Sequence, residues 1–90
     1  LPQRELLAWA LREATTNVLR HAGAARVSVA LAPGRVRVED DGAGTAGRGP
    51  GNGLTGLRER VEATGGALTL TSPAPGGTAE RPGTVLEVAL

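Results

Sequence analysis

Arg12-Glu13-Ala14-Thr15-Thr16-Asn17-Val18-Leu19-Arg20-His21-Ala22 is the stretch whose reading decides the fold. Taken as a helix, it advances by about 100° per residue, so Glu13, Asn17 and His21 drift by only about 40° at each step of four. They make one polar stripe: a carboxylate, an amide and an imidazole in a row. Leu7, Leu11, Ala14 and Val18 make an apolar stripe beside it. Such a helix buries one flank in a core and leaves the other free for a hydrated metal ion and a polyanion. A purely solvated face gives the same spacing, so the remainder of the chain has to discriminate.

Working back, Pro2 suits the first turn of this helix and Glu5 its positive end, and Gly23 is a natural stop after Ala22. Working forward, Arg26 to Ala32 alternates Val27, Val29 and Leu31 with small or polar residues, the pattern of a half-buried strand. Pro33-Gly34 is a turn, and Arg35 to Asp40 alternates again, so the two runs form a β-hairpin. In the second strand Val36 and Val38 point inward. By the period of two so does Asp40, while Glu39 and Asp41 point out. An inward carboxylate left without a donor costs several kcal/mol, so Asp40 needs a backbone N–H, an arginine or a ligand amine.

Seven of the fourteen glycines fall between Gly42 and Gly56. A run this rich in glycine cannot pack on its own side chains, but it lets the backbone approach a ligand closely. Asp40 stands at its entrance. At its end Leu54, Leu57 and Val61 begin a second helix, whose start favours anions and which Gly65-Gly66 closes. Ala67 to Thr71 is a short strand. Ser72 to Pro82 is Pro/Gly-rich without periodicity and is expected to be exposed and mobile. Gly83 to Leu90 is a last strand with Thr84, Leu86, Val88 and Leu90 facing inward.

Ninety residues make one domain, 1–90, expected to be a piece of a longer chain. Trp9 is the sole aromatic, so the core is Leu, Val and Ala. A net charge of +1 and the lack of an aromatic platform oppose nucleic-acid binding. The absence of cysteine excludes disulfides, thiol catalysis and cysteine-held metals. No apolar run approaches the roughly 18 residues of a membrane span.

In order, then, stand Glu13…Asn17…His21 on a helix, Asp40-x-Gly42-x-Gly44 at a strand end, Gly51-x-Gly53-Leu54 at a helix start and Gly83-Thr84 before the last strand. This set resembles the ATP-binding domain shared by bacterial sensor histidine kinases and gyrase-type ATPases, the Bergerat or GHKL fold, also called HATPase_c. Glu13 to Ala22 is similar to its N box, and the two glycine motifs to its glycine boxes. REATTNVLRHA and GNGLTGLRERV are more narrowly similar to the kinases that pair with NarL-type response regulators, including the DesK-like group.

The resemblance implies an α/β (α+β) two-layer sandwich, a mixed and largely antiparallel sheet with helices on one face. It implies a protein histidine kinase of the two-component phosphorelay, a transferase that binds ATP and Mg²⁺. Asp40 would accept a hydrogen bond from the adenine amino group, and Thr84 would help bind the base, although Thr78 after Gly76-Gly77 also fits the Gly-Thr pattern. Asn17 would ligate magnesium. Arg20 and His21 would lie on the phosphate side, with Gly42, Gly44, Gly51, Gly53 and the Leu54 N–H around the phosphates. Glu13 matches the residue that orients the attacking group in the ATPase branch. His21 is not the phosphoacceptor, because it occupies the last N-box position. The acceptor is expected on a dimerising helical hairpin upstream, in a homodimeric protein whose partners are that hairpin and a NarL-type response regulator. The domain is expected to be cytoplasmic, with any membrane anchor elsewhere in the protein. Family domains also carry a strand before the N-box helix, so an edge strand is expected to be missing here. The rivals are an anti-sigma-factor-type serine kinase of the same fold and a non-catalytic nucleotide-binding module.

Overall fold

The structure is a computed structural model and describes residues 3–18, 26–42 and 52–90, apart from the side chain of Asn52. Its elements are α1 (Gln3–Asn17), β1 (Val27–Ala32), β2 (Arg35–Asp40), α2 (Asn52–Ala63), β3 (Ala67–Thr71) and β4 (Thr84–Ala89). The four strands form one sheet in the order β1-β2-β4-β3, and every neighbouring pair is antiparallel. The two-layer sandwich expected from the sequence is present as an α+β fold, and the expected largely antiparallel sheet is antiparallel throughout its four described strands.

Both helices lie on one face of the sheet. Register sets that face: Val36 stands opposite Val88 and Val38 opposite Leu86, while Leu68 and Leu70 meet the same two β4 residues from the other side. Against them pack Leu6, Ala10 and Ala14 of α1 and Leu54, Leu57 and Val61 of α2. The opposite face carries Arg35, Arg37, Glu39, Thr69 and Glu87, with Arg37 Nη1 paired to Glu39 Oε1 at 2.9 Å. Alternation thus sorts the strands into an apolar inside and a largely polar outside, the exception being Val85, which has outward parity and is buried.

Helix α1 is rolled by about one residue from its expected orientation. Its deepest positions are Leu6, Ala10 and Ala14, while Leu7, Leu11 and Val18 are only partly buried. Small residues carry a weak hydrophobic signal in sequence, yet they let a helix backbone come closest to a sheet. The expected continuation of α1 to Ala22 and its stop at Gly23 lie outside the described residues. Helix α2 ends as expected. Gly66 N–H donates to Val61 O at 3.1 Å and Gly65 N–H to Glu62 O at 3.0 Å, with Gly65 at φ 84°, the paired bonds of a Schellman cap.

Two expectations are corrected. Strand β1 is not half-buried: all six of its residues are exposed. Its side chains alternate as read, but neither helix covers its inner side. The 72–83 connection is exposed at 73 and 75–81, as expected, but not throughout, because Ala74 near its start is buried. Ala74 N–H donates to Pro82 O at 2.8 Å, Thr78 N–H to Arg81 O at 3.0 Å, and Ser72 Oγ to Gly83 O at 2.7 Å. Glycine and proline here serve close backbone contact, which composition alone reads as looseness.

Burial ranks the leucines. Leu57→Ala, at a fully enclosed position, should destabilise the chain by about 2–5 kcal/mol. Leu31→Ala, at a position 67 % exposed, should stay within about 0.5 kcal/mol of wild type. Urea unfolding of both variants checks the contrast.

Candidate functional site

The sequence-derived site residues that fall among the described residues gather at one end of the sheet. At the opposite end, Gln3 at the start of α1 lies against Gly34 in the β1–β2 turn, and Gly66 beyond α2 lies against Ala89 and Leu90. Helix α1 spans about 22 Å at 1.5 Å per residue and runs over β2, a six-residue strand of about 20 Å. Asn17, on the last turn of α1, therefore arrives at the end where β2 finishes with Asp40 and β4 begins with Thr84. By the same reasoning the N-terminus of α2, with Gly53 and Leu54, opens at that end. Glu13 sits one turn before Asn17; both are half-buried.

Among the described residues Asp40 is the one charged side chain in the buried set, at 7 % exposure. Its Oδ1 accepts a hydrogen bond from Gly42 N–H at 2.8 Å, which is the local donor that burial requires. No described residue donates to Oδ2. Directly across the β2–β4 ladder stands Thr84, so carboxylate and hydroxyl emerge side by side on the helix-covered face. Thr78, the competing threonine, is exposed in the 72–83 loop, where its Oγ1 accepts from Arg81 N–H at 3.0 Å. The geometry favours Thr84 as the residue beside Asp40.

Gly83 fixes that juxtaposition. It is buried with φ 73°, and a Cβ there would run into the carbonyl oxygen of Asp40. Its N–H donates to Gly42 O at 3.0 Å. Asp41 has the contrasting role that strand parity predicts. Its Oδ1 accepts from Arg26 N–H at 2.8 Å, and its carbonyl accepts from Arg81 Nε at 2.9 Å. It ties the start of β1 to the 72–83 loop and takes no part in the inward cluster. A shallow recess at this end of the sheet is lined by Glu39, Asp40, Asp41, Arg81 and Gly83 together with residues of the 72–83 connection. The side chain of Glu39 itself points to the opposite face of the sheet from those of Asp40 and Thr84.

Helix α2 carries no acidic residue in its first turn, so the positive end of its dipole is not neutralised from within. The Leu54 side chain is buried in the core; only its backbone is available to an anion. Arg20, His21, Gly44 and Gly51 lie outside the described residues. Among the described residues no group of three or more His, Cys, Asp or Glu could hold a metal, and no helix is long and apolar enough to cross a membrane. Sequence reasoning missed the parts played by Gly83 and Arg81. A Gly-Thr pair was visible before β4, but the positive φ and the contact with Asp40 depend on a residue some forty positions away.

The sequence is similar to those of known proteins. The chain is 39 % identical over 71 residues to the sensor histidine kinase YxjM of Bacillus subtilis, covering 74 % of this chain and 18 % of that protein. It is 39 % identical over 75 residues to the signal transduction histidine-protein kinase/phosphatase UhpB of Salmonella typhimurium, covering 77 % of this chain and 15 % of that protein. The chain is a relative of the sensor histidine kinases. It spans less than a fifth of the length of these two curated relatives. No protein-family profile matches it.

In this histidine-kinase relative, Gly83→Ala should destabilise by more than the roughly 1–2 kcal/mol of a left-handed conformation alone, because the new methyl also meets the Asp40 carbonyl. Gly65→Ala, at φ 84° with open space around it, carries the conformational term only. Urea unfolding should rank Gly83→Ala as the more damaging of the two.

Proposed function

We propose that the chain is the ATP·Mg²⁺-binding catalytic domain of a sensor histidine kinase, with the Bergerat fold, which donates the γ-phosphate to a histidine on a separate dimerisation domain. The observation that carries this reading is the buried Asp40, with one carboxylate oxygen held by Gly42 and the other without a donor among the described residues, directly beside Thr84. Such a pair suits a heteroaromatic base that offers an exocyclic amine. The adenine amino group donates to Asp40, and Thr84 contacts the ring directly or through water.

The phosphates then extend toward the start of α2, where the backbone N–H groups from Gly53 and Leu54, with Gly42, Gly44 and Gly51 of the glycine-rich segment, accept an anion. Arg20 adds a charge-assisted donor, and His21 lies on the same side. Asn17 offers an amide oxygen, a hard ligand of the kind magnesium takes alongside phosphate and water. When bound, Mg²⁺ neutralises charge on the β- and γ-phosphates. Glu13 orients the attacking group. Transfer breaks the bond from the γ-phosphorus to the β–γ bridging oxygen and forms a phosphorus–nitrogen bond on the acceptor imidazole, which gives up its N–H proton; ADP leaves. Little covalent chemistry falls to the domain, so its contribution is positioning and charge stabilisation. The phosphoryl group passes next to an aspartate of a response regulator, of NarL type by the local sequence forms. The named relatives are sensor kinases, which favours this reading over the anti-sigma-type serine kinase.

Calorimetric titration with ATP and ADP, with and without Mg²⁺, tests the site. Asp40→Asn should weaken adenine-nucleotide binding by about tenfold or more, since a hydrogen bond to a charged group is worth roughly 1.5–3 kcal/mol. Unchanged affinity in a folded variant would defeat the adenine assignment. Asn17→Ala should abolish the Mg²⁺ dependence of ATP binding while leaving metal-free binding in place; a dependence that persists would assign the metal to another ligand.

A further inference from the structure

The side chain of Asp41 stays out of the inward cluster, but its peptide link to Gly42 belongs to it. The carbonyl of that link, Asp41 O, accepts from Arg81 Nε at 2.9 Å. The N–H of the same link, on Gly42, donates to Asp40 Oδ1 at 2.8 Å. A trans peptide is planar, with its C=O and N–H directed oppositely. Arg81 therefore grips one side of a rigid plate whose other side holds the buried carboxylate. Hydrogen bonds in such a chain polarise one another, so a donor on the carbonyl strengthens the N–H as a donor.

The plate needs that grip. The link before it is fixed where Asp41 N–H donates to Arg26 O at 3.3 Å, and the link after it where Gly83 N–H donates to Gly42 O at 3.0 Å. Between them the plane of the 41–42 link turns about the ψ of Asp41 and the φ of Gly42, and glycine leaves φ wide open. Asp40 cannot tolerate that turn. It is 7 % exposed, and losing the Gly42 donor would leave a buried oxygen unsatisfied.

The loop presents Arg81 from an anchored stretch. Thr78 Oγ1 accepts from Arg81 N–H at 3.0 Å, and Thr78 N–H donates to Arg81 O at 3.0 Å. Pro82 follows and disfavours the helical region for Arg81. Pro82 O accepts from the N–H of the buried Ala74 at 2.8 Å. The ion pair from Arg81 Nη2 to Asp41 Oδ1 spans 3.6 Å between side chains 48 % and 38 % exposed, and so solvated a pair contributes little to stability. The oriented Nε–H is the part that acts.

We infer that Arg81 is a positioning residue for the nucleotide site: through the 41–42 peptide it holds Gly42 N–H on Asp40 and so fixes the direction in which the second carboxylate oxygen points. Its effect on nucleotide affinity rests on the adenine reading of Asp40; its grip on the peptide does not.

The dipeptide Asp-Gly occurs once in the 90-residue chain, at 41–42. Carbonyl-labelled carbon-13 aspartate combined with nitrogen-15 glycine therefore gives a single correlated amide signal, which reports on this link and is read without nucleotide. Glutamine places an uncharged N–H after three side-chain carbons, where arginine has Nε. Lysine keeps the charge but has carbon at that position, and methionine has neither donor nor charge. In Arg81→Met and Arg81→Lys the Gly42 amide proton should move upfield and exchange at least about tenfold faster than in wild type. Their urea midpoints should stay close to wild type, while ADP affinity by calorimetry falls about fivefold, the equivalent of one hydrogen bond. Arg81→Gln should keep the wild-type signal and an ADP affinity within about twofold. An unmoved Gly42 signal in Arg81→Met and Arg81→Lys would overturn the inference. So would wild-type ADP affinity in variants whose signal has moved, or restoration by lysine and not by glutamine, which would make charge the active property. Should Arg81→Met fail to fold, Arg81→Lys carries the same test. If the wild-type chain binds no ADP, the adenine reading fails, and the labelled signal still decides whether Arg81 holds the link.

Discussion

The pairing of β2 with β4 is the constraint on which the rest of the structure depends. These two central strands carry Val36, Val38, Leu86 and Val88, to which both helices and both outer strands attach. A slip of one residue would turn every one of these side chains to the solvent face. It would also separate Asp40 from Thr84. The register is pinned at both ends by hydrogen bonds outside the strands: Leu90 N–H to Gly34 O at 2.8 Å, and Gly83 N–H to Gly42 O at 3.0 Å. The second of these lies within the candidate site. The backbone geometry that aligns the core is therefore the same geometry that places the buried carboxylate beside a hydroxyl.

Without a large aromatic core, close approach has to supply what side-chain bulk does not. Ala10 and Ala14 bring α1 down onto β2, and Trp9 fills the seam toward α2. This economy confines the core to the strands that helices actually cover. Strand β1 adds a full ladder of backbone bonds to β2 but buries none of its six residues. A ladder bond exchanges one with water and contributes little net stability, whereas apolar burial contributes roughly 25 cal/mol per Å². Strand β1 is thus held by its neighbour while adding little to the core.

Much of this was legible in the sequence, because strand parity and helix punctuation are local. The ranges of β2 and β3 follow from alternation, and the end of α2 from Gly65-Gly66. The inward direction of Asp40 follows from Val36 and Val38 by counting in twos. What was not legible depends on neighbours. Val27, Val29 and Leu31 alternate in the same way whether or not a helix lies above them, so periodicity shows which side faces the core layer and not whether that layer extends so far. The roll of α1 onto Ala10, beside the expected Ala14, is hidden because alanine is nearly silent in a hydrophobic pattern. The ordering of residues 72–83 around Ala74 rests on backbone contacts between glycines, prolines and Arg81, which composition reads as the absence of structure.

The site end of the sheet also shows why its chemistry gathers there. Helix starts and strand ends are where backbone donors are left over, and a helix such as α2, with no acidic residue in its first turn, leaves its positive end unneutralised. Consecutive aspartates divide the work by the pleat alone. Asp41 turns outward, taking Arg26 N–H on its side chain and Arg81 Nε on its carbonyl, and so holds the loop in place. Asp40 turns inward, where one oxygen is fixed by Gly42 and the carboxylate is buried beside a strand partner with a hydroxyl. Exchanging the two roles would need a one-residue shift of β2, which the core forbids. The identity of the inward aspartate is thus decided some twenty ångströms away, at the hairpin turn and the Gly34–Leu90 bond that set the count along β2.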